Sequence, residues 1–555
     1  MSRSAVRTIA RDDGAQEVRE WPPTPSPALL HVRPTRLTFM RIIATLFLLV
    51  LAGPAVDAQP SPSLDLGEIT IAELRASFRE KRVTCRSIVE VYLRRIDAYD
   101  KRGPAINGIV QINPNALAVA DDLDRRYAQN GPVGPLHCVT VAVKDNFETA
   151  DMPTSAGSLS LRSMSTGKDA FVVKRLRDAG AVIVAKTNMH EFAFSQYETV
   201  SSILPGYTRN PYDLRRVTAG SSGGTAAAVA ANFVAVGLGT DTGASIRGPA
   251  SFQALVGIRP TMGMASRSGV VPVFLDSDVP GPLTRTVADA AAVLQAMAAQ
   301  DPDDAATGAA RPRQVEDYAS QLAADGLSGA RIGVLSQIFD TPTMNSEVRQ
   351  LFQGAVDNLG RAGAIVLTPV SIGGLDELRQ MQRGAARCNT FKFELNRYLS
   401  GLGARAPVQT LEQIIQSRLF HPTIQSRLEA SQAADDVPGE TPGCRARAEF
   451  RSRLRDALAG LMSANKLDAL IYPTWSNPPR LIGDLNTPHG DNNQLLSPST
   501  GFPAITVPMG FTNAGSLPAG LQFLGAAWAE PVLIRLAYSY EQATRHRRPP
   551  ASTPN

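Results

Sequence analysis

Between Thr218 and Pro260 the chain reads TAGSSGGTAAAVAANFVAVGLGTDTGASIRGPASFQALVGIRP. A Gly/Ser turn, Gly220-Ser221-Ser222-Gly223-Gly224, leads into an Ala-rich run from Thr225 to Ala231 that predicts a helix. The apolar run Phe233 to Leu238 has the length and content of a buried strand. A second turn, Thr240-Asp241-Thr242-Gly243-Ala244-Ser245-Ile246-Arg247, follows directly. Two glycine-rich turns with serines, one on each side of a helix and a strand, point to a site built of backbone N–H groups and hydroxyls.

The rest of the chain repeats the same alternation. Thr70-x-x-Glu73 is a capping box that opens a helix, and Thr84 to Ala98 carries Ile88, Val91, Tyr92 and Ile96 on one face. Val139 to Val143 is a continuous apolar strand that ends on Lys144-Asp145-Asn146. A lysine at the end of a buried strand loses charge through desolvation, or else pairs or snorkels. Helix-then-strand patterns recur at 169–185, 346–367 and 445–473, with closing strands at 505–508 and 521–524. The pattern predicts an α/β fold with helices outside a sheet. The tail from Arg545 reads as disordered.

A chain of 555 residues, 43% hydrophobic and 19% charged, belongs with globular rather than disordered or fibrous chains. The formal charge of +5 is scattered, with no Lys/Arg block, so a nucleic-acid partner is not expected. Arg41 precedes the apolar run Ile42 to Ala52, and Val56-Asp57-Ala58 closes it with small residues. This is the layout of a signal peptide over 40–58; the expected product is secreted or periplasmic, with no stable membrane insertion after processing. Residues 1–39 read as unstructured or as an over-extended start. Cys85, Cys138, Cys388 and Cys444 lack zinc-type spacing, and disulfides and free thiols both remain open. Six histidines form no two-His motif, and neither a metal nor another cofactor is expected.

Three chemistries fit the Gly/Ser turns. Anion binding is weak, because no Gly-Lys-Ser/Thr follows the first turn. G-x-S-x-G catalysis by Ser222 with a histidine such as His489 needs a strand before the turn, and the polar Arg209 to Arg216 does not read as one. Ser-Lys catalysis needs a neutral lysine, a serine that it can deprotonate and N–H donors for an oxyanion. Lys144 and the two serine-bearing turns supply these.

These motifs together resemble the amidase signature family, of the secreted bacterial type. The likeness rests on Val141-Ala142-Val143-Lys144-Asp145-Asn146 and on Gly220 to Thr225 continuing through Gly239 to Arg247. Gly257-Ile258-Arg259-Pro260-Thr261, Gly281-Pro282-Leu283-Thr284-Arg285 and Gly501-Phe502-Pro503-Ala504 add to it. The resemblance implies an α/β/α sandwich around a large mixed β-sheet over 65–545, with 546–555 a disordered tail. It implies an amidase acting on a small-molecule amide, releasing acid and ammonia or amine, and it leaves a homodimer open. Ser245 would be the nucleophile, Ser221 the bridging serine held by a cis peptide bond, and Lys144 the base. N–H groups of Thr242, Gly243, Ala244 and Ser245 would form the oxyanion hole, with Asp241, Arg247 and Ser222 as supports. The helical region 375–464 would wall the substrate entrance, and Phe147, Met189 to Tyr197 and Trp475 would shape the acyl site for a hydrophobic or aryl group. Ala219 and Ala244 stand where the family usually has glycine, so a turn needing positive φ at 244 would be strained by about 1–2 kcal/mol.

Overall fold

Continuous apolar runs give strands that are buried on both faces, and this chain has several. A computed structural model describes residues 66–309, 317–385 and 388–554. The segment 1–39 and the signal-peptide expectation at 40–58 lie outside the described residues. In chain order the strands are β1 (Ile109–Ile112), β2 (Thr140–Lys144), β3 (Val182–Thr187), β4 (Arg209–Asn210), β5 (Asp213–Val217), β6 (Val236–Asp241) and β7 (Val256–Arg259). They continue as β8 (Val279–Thr284), β9 (Arg331–Val334), β10 (Ile365–Leu367), β11 (Ala469–Pro473), β12 (Ala504–Thr512) and β13 (Leu517–Leu524).

Eleven of these form one sheet in the order β1-β3-β2-β6-β8-β7-β12-β13-β11-β9-β10, and β4 and β5 form a separate ribbon. Strands β3, β2 and β6 run parallel, as do β11, β9 and β10, while the middle of the sheet is antiparallel. Every residue of β2, β3, β6, β8, β11 and β13 is buried, so both faces are covered by helices and loops. The fold is the mixed α/β architecture that the resemblance implied.

Several boundaries differ from the sequence reading in ways that matter for the site. The Ala-rich helix spans Gly223–Ala230, and the strand after it starts at Val236 rather than Phe233. The N–H of Phe233 bonds back to the Ala228 carbonyl, which keeps the chain in a turn for three more residues. The strand therefore reaches Asp241, and Thr240 lies inside it. Strands β7 and β8 were invisible to periodicity because β8 reads Val-Pro-Gly-Pro-Leu-Thr. Pro280 and Pro282 bring no donor, and they lie beyond Leu283 and Thr284, the two residues that pair with β7. A strand, β5, also precedes the first glycine turn, but it belongs to the ribbon and not to the sheet.

The C-terminal residues expected to be disordered are packed. Arg547 ion-pairs Glu68 at 2.8 Å and donates to the carbonyls of Ala230, Gln253 and Ala254. Arg95 donates to Ala231 and Asn232 on the same side and to the carbonyls of Thr553 and Pro554. A helix leaves its last carbonyls unpaired, and these cations fill that need for the helix Gly223–Ala230. The tail has a polar composition and gains its order from those carbonyls. All four cysteines are paired, as Cys85–Cys138 and Cys388–Cys444.

Candidate active site

Strand β2 delivers Lys144 into the interior with no route to water; its side chain is wholly buried. Its Nζ lies 2.7 Å from the Ser221 Oγ, 2.7 Å from the Thr240 Oγ1 and 3.4 Å from the Thr240 carbonyl. No carboxylate pairs with Lys144 within ion-pair distance among the described residues. Burial lowers its pKa to about 7, against the weaker opposing pull of Asp278 and Asp241. A neutral amine has two N–H donors and one lone pair. The two Thr240 oxygens can take the donors, which leaves the lone pair for the Ser221 hydroxyl.

Ser221 follows a cis peptide bond from Gly220. The neighbouring Ser222 hydroxyl donates to the Thr240 carbonyl at 3.1 Å and is fully buried. His489 stacks on Tyr197 instead, with its Nδ1 accepting from the Asp491 N–H. No histidine hydrogen-bonds Ser222 among the described residues, so the G-x-S-x-G alternative lacks its base.

The second turn is closed by a carboxylate that bridges its two ends. Asp241 accepts from the Ile246 N–H at 3.1 Å and the Arg247 Nε at 3.0 Å, and it also pairs with Arg259 at 3.2 Å. Burial would raise the Asp241 pKa, but Arg247 and Arg259 outweigh it and hold the carboxyl at about 2. Arg247 in turn donates to the Gly243 carbonyl at 2.6 Å and reaches Asn493 and Gln522. So Asp241, Arg247 and Ser222 all brace backbone. The N–H groups of Thr242, Gly243, Ala244 and Ser245 make no hydrogen bond among the described residues. Ala244 and Ser245 are buried, while Thr242 and Gly243 are partly exposed and line the cavity beside Ser245. Successive unpaired N–H groups are the kind of donor set that receives an oxygen anion.

Ser245 lines a cavity of about 230 Å3 together with Thr242 and Gly243. Its hydroxyl makes no hydrogen bond among the described residues, so the structure joins Lys144 to Ser221 directly but draws no bond from Ser221 to Ser245. A Cβ at Gly243 would stand 2.3 Å from the Gln494 Oε1, so any larger residue here must push the Gln494 side chain aside. The strained alanine is not Ala244, which is fully buried outside the left-handed region and does not line the cavity. It is Ala219, with φ +59°.

Region 375–464 contributes Gln382, Ala385, Arg427, Arg447, Phe450 and Arg451 to the wall, and the loop near Met189 contributes Ala193, Phe194 and Gln196. Phe147 and Trp475 do not reach it. Phe147 is buried in the core, and Trp475 stacks on Phe252 and donates to the Gly248 carbonyl. Sequence reasoning missed Thr240, which orients the lysine. It also missed Asp278, which accepts from the Thr242 hydroxyl at 2.6 Å, and Gln494. Only Thr240 carried a signal, as the polar residue at the end of the apolar run. No group of three or more His, Cys, Asp or Glu that could hold a metal occurs among the described residues.

Comparison with known proteins gives a consistent result. The family model described as Amidase matches residues 87–534. A probable amidase of Arabidopsis thaliana is 35% identical over 532 residues, covering 92% of this chain and 96% of that protein. A glutamyl-tRNA(Gln) amidotransferase subunit from Alkaliphilus metalliredigens is 32% identical over 495 residues, covering 86% of this chain and 97% of its own. Among solved structures, native peptide amidase from Stenotrophomonas maltophilia is 38% identical, covers 88% of this chain and 99% of its own, and aligns with a TM-score of 0.80.

Proposed function

This chain belongs to the amidase family and hydrolyses carboxylic amides, and we propose that Ser245, Ser221 and Lys144 carry the reaction. Neutral Lys144 takes a proton from Ser221 as Ser221 takes one from Ser245. The Ser245 Oγ attacks the amide carbonyl carbon. The negative charge that develops on the carbonyl oxygen is received by the N–H groups of Thr242 to Ser245, where one fixed donor is worth about 3 kcal/mol. The relay returns a proton to the leaving nitrogen, and amine or ammonia departs. Water then attacks the acyl-enzyme along the same proton path and frees Ser245. The Ser245–Ser221 bond closes with substrate bound, as catalytic hydrogen bonds commonly do.

The observation that supports this most is the buried lysine amine, 2.7 Å from the Ser221 hydroxyl and with no carboxylate within ion-pair distance among the described residues. A fluorophosphonate probe followed by peptide mapping tests it. Label on Ser245, lost in Lys144→Ala, is the expected result; label on Ser222 would overturn it.

The finer reading is an acylamide amidohydrolase that acts without an amidotransferase partner. Phe194, Phe274 and Phe450 in the cavity wall favour an acyl group with an apolar or aryl part. Likeness to a peptide amidase supports a peptidyl amide as one such substrate. Export is the proposed location. Pairing of all four cysteines fits an oxidising compartment. Mass spectrometry of the mature N-terminus would show a start after Ala58 if this is right, and an intact leader if it is wrong.

A further inference from the structure

The cavity above Ser245 is lined by three arginines, Arg427, Arg447 and Arg451, and among the described residues by no acidic side chain. Arg447 and Arg451 are mostly buried, and they share one carboxylate, Asp276, at 2.7 and 3.7 Å. Both also donate to the Ser277 hydroxyl, at 3.2 and 3.0 Å. Arg427 lies over the Phe194 ring at 4.5 Å and donates to the Phe194 carbonyl. It has no carboxylate within ion-pair distance among the described residues. Asp278 and Glu394 stand behind this wall, but their oxygens accept from the backbone N–H groups of Val273, Phe274 and Leu275. Arg447 and Arg451 share one carboxylate and Arg427 has none within ion-pair distance, so the cations lining the cavity beside Ser245 outnumber the carboxylates paired with them. Guanidinium is the side chain whose donor fork fits a carboxylate in two places.

Resting on the reading of Ser245 as nucleophile, we infer that the preferred substrates are amides whose acyl part carries a second, ionised carboxylate, held by Arg427 with Arg447 and Arg451 beside it. Helix Pro442–Ala464 supplies two of the three cations, and its basic character then serves the cavity as well as solvent.

The test compares matched pairs at low ionic strength: glutaric acid monoamide against its methyl ester, and N-benzoyl-isoglutamine against its γ-methyl ester. Arg427→Gln is the chosen variant, because Arg447 and Arg451 also hold the Asp276 loop. The free acid should exceed its ester in kcat/KM by about tenfold or more, the discrimination expected when a charged contact is lost. That ratio should fall to about threefold or less in Arg427→Gln, and it should shrink with added salt. Equal turnover of acid and ester, or a ratio unchanged in Arg427→Gln, overturns the inference. If neither pair is hydrolysed, fluorophosphonate labelling of Ser245 decides: glutarate should slow it and dimethyl glutarate should not, and equal protection overturns the inference. Ser245→Ala separates the two claims. Loss of all turnover without acid preference sinks only the carboxylate inference, while retained turnover sinks the nucleophile itself.

Discussion

Replacing Lys144 by Met should abolish hydrolysis while changing stability in a way that depends on pH. Burial lowers the lysine from 10.5 to about 7. Each pKa unit is about 1.4 kcal/mol, so carrying the ammonium into this site costs the folded protein about 5 kcal/mol where both states are protonated. Between those two values the unfolded chain keeps a proton that the folded chain has released. Stability of the natural protein therefore rises with pH across that window and is penalised most below it. From the two pKa values the penalty is about 5 kcal/mol near pH 6 and about 2 kcal/mol near pH 9. The methionine variant escapes it but leaves the Ser221 and Thr240 oxygens without their partner, a constant loss of about 1–3 kcal/mol. The sum makes Lys144→Met more stable near pH 6, by about 2–4 kcal/mol, and near parity by about pH 9. Urea denaturation of both proteins across this range gives the difference, and amide hydrolysis is assayed in parallel. A stability difference that does not move with pH, or a methionine variant that still turns over, would falsify the neutral-lysine account.

Three further outcomes follow from the same geometry. The kcat/KM profile should have an acid limb at about 7, falling about tenfold per pH unit below it as Lys144 takes up a proton; Asp278→Asn removes an anion that favours the ammonium and should move that limb to lower pH, and a limb that stays put or moves upward contradicts the assignment. Ala219→Gly should raise stability by about 1 kcal/mol, because φ is +59° there, whereas Ala244→Gly should give no gain; thermal melts decide. Gly243→Ala should lower turnover by driving its methyl into Gln494, and adding Gln494→Ala should restore part of it; equal losses in the single and double variants would show that the collision is irrelevant.

Much of the site could be read from local pattern because its chemistry is local. Lys144 closes an unbroken apolar strand, and the two serines stand in glycine turns whose backbone needs are visible in sequence. Thr240 stood out as the polar residue closing an apolar run, but its pairing with the lysine was not legible. Thr240 lies 96 positions away and meets Lys144 only because β2 and β6 are neighbours in the sheet. The strands β7 and β8 were hidden by glycine and proline, whose usual meaning is a turn. Phe147 and Trp475 illustrate the opposite error: aromatic side chains near motif residues look like pocket walls, yet both went to core packing. The arginines of helix Pro442–Ala464 look like a basic surface in sequence, since composition does not say which face of a helix turns inward.

The contact of Arg547 with Glu68 and with the carbonyl of Ala230 has a practical consequence for handling this protein. The helix fastened there starts immediately after Ser221 and Ser222. Clipping the last nine residues, or fusing a bulky tag where they tuck in, should loosen that helix from its far end and blunt the enzyme without touching any reacting group.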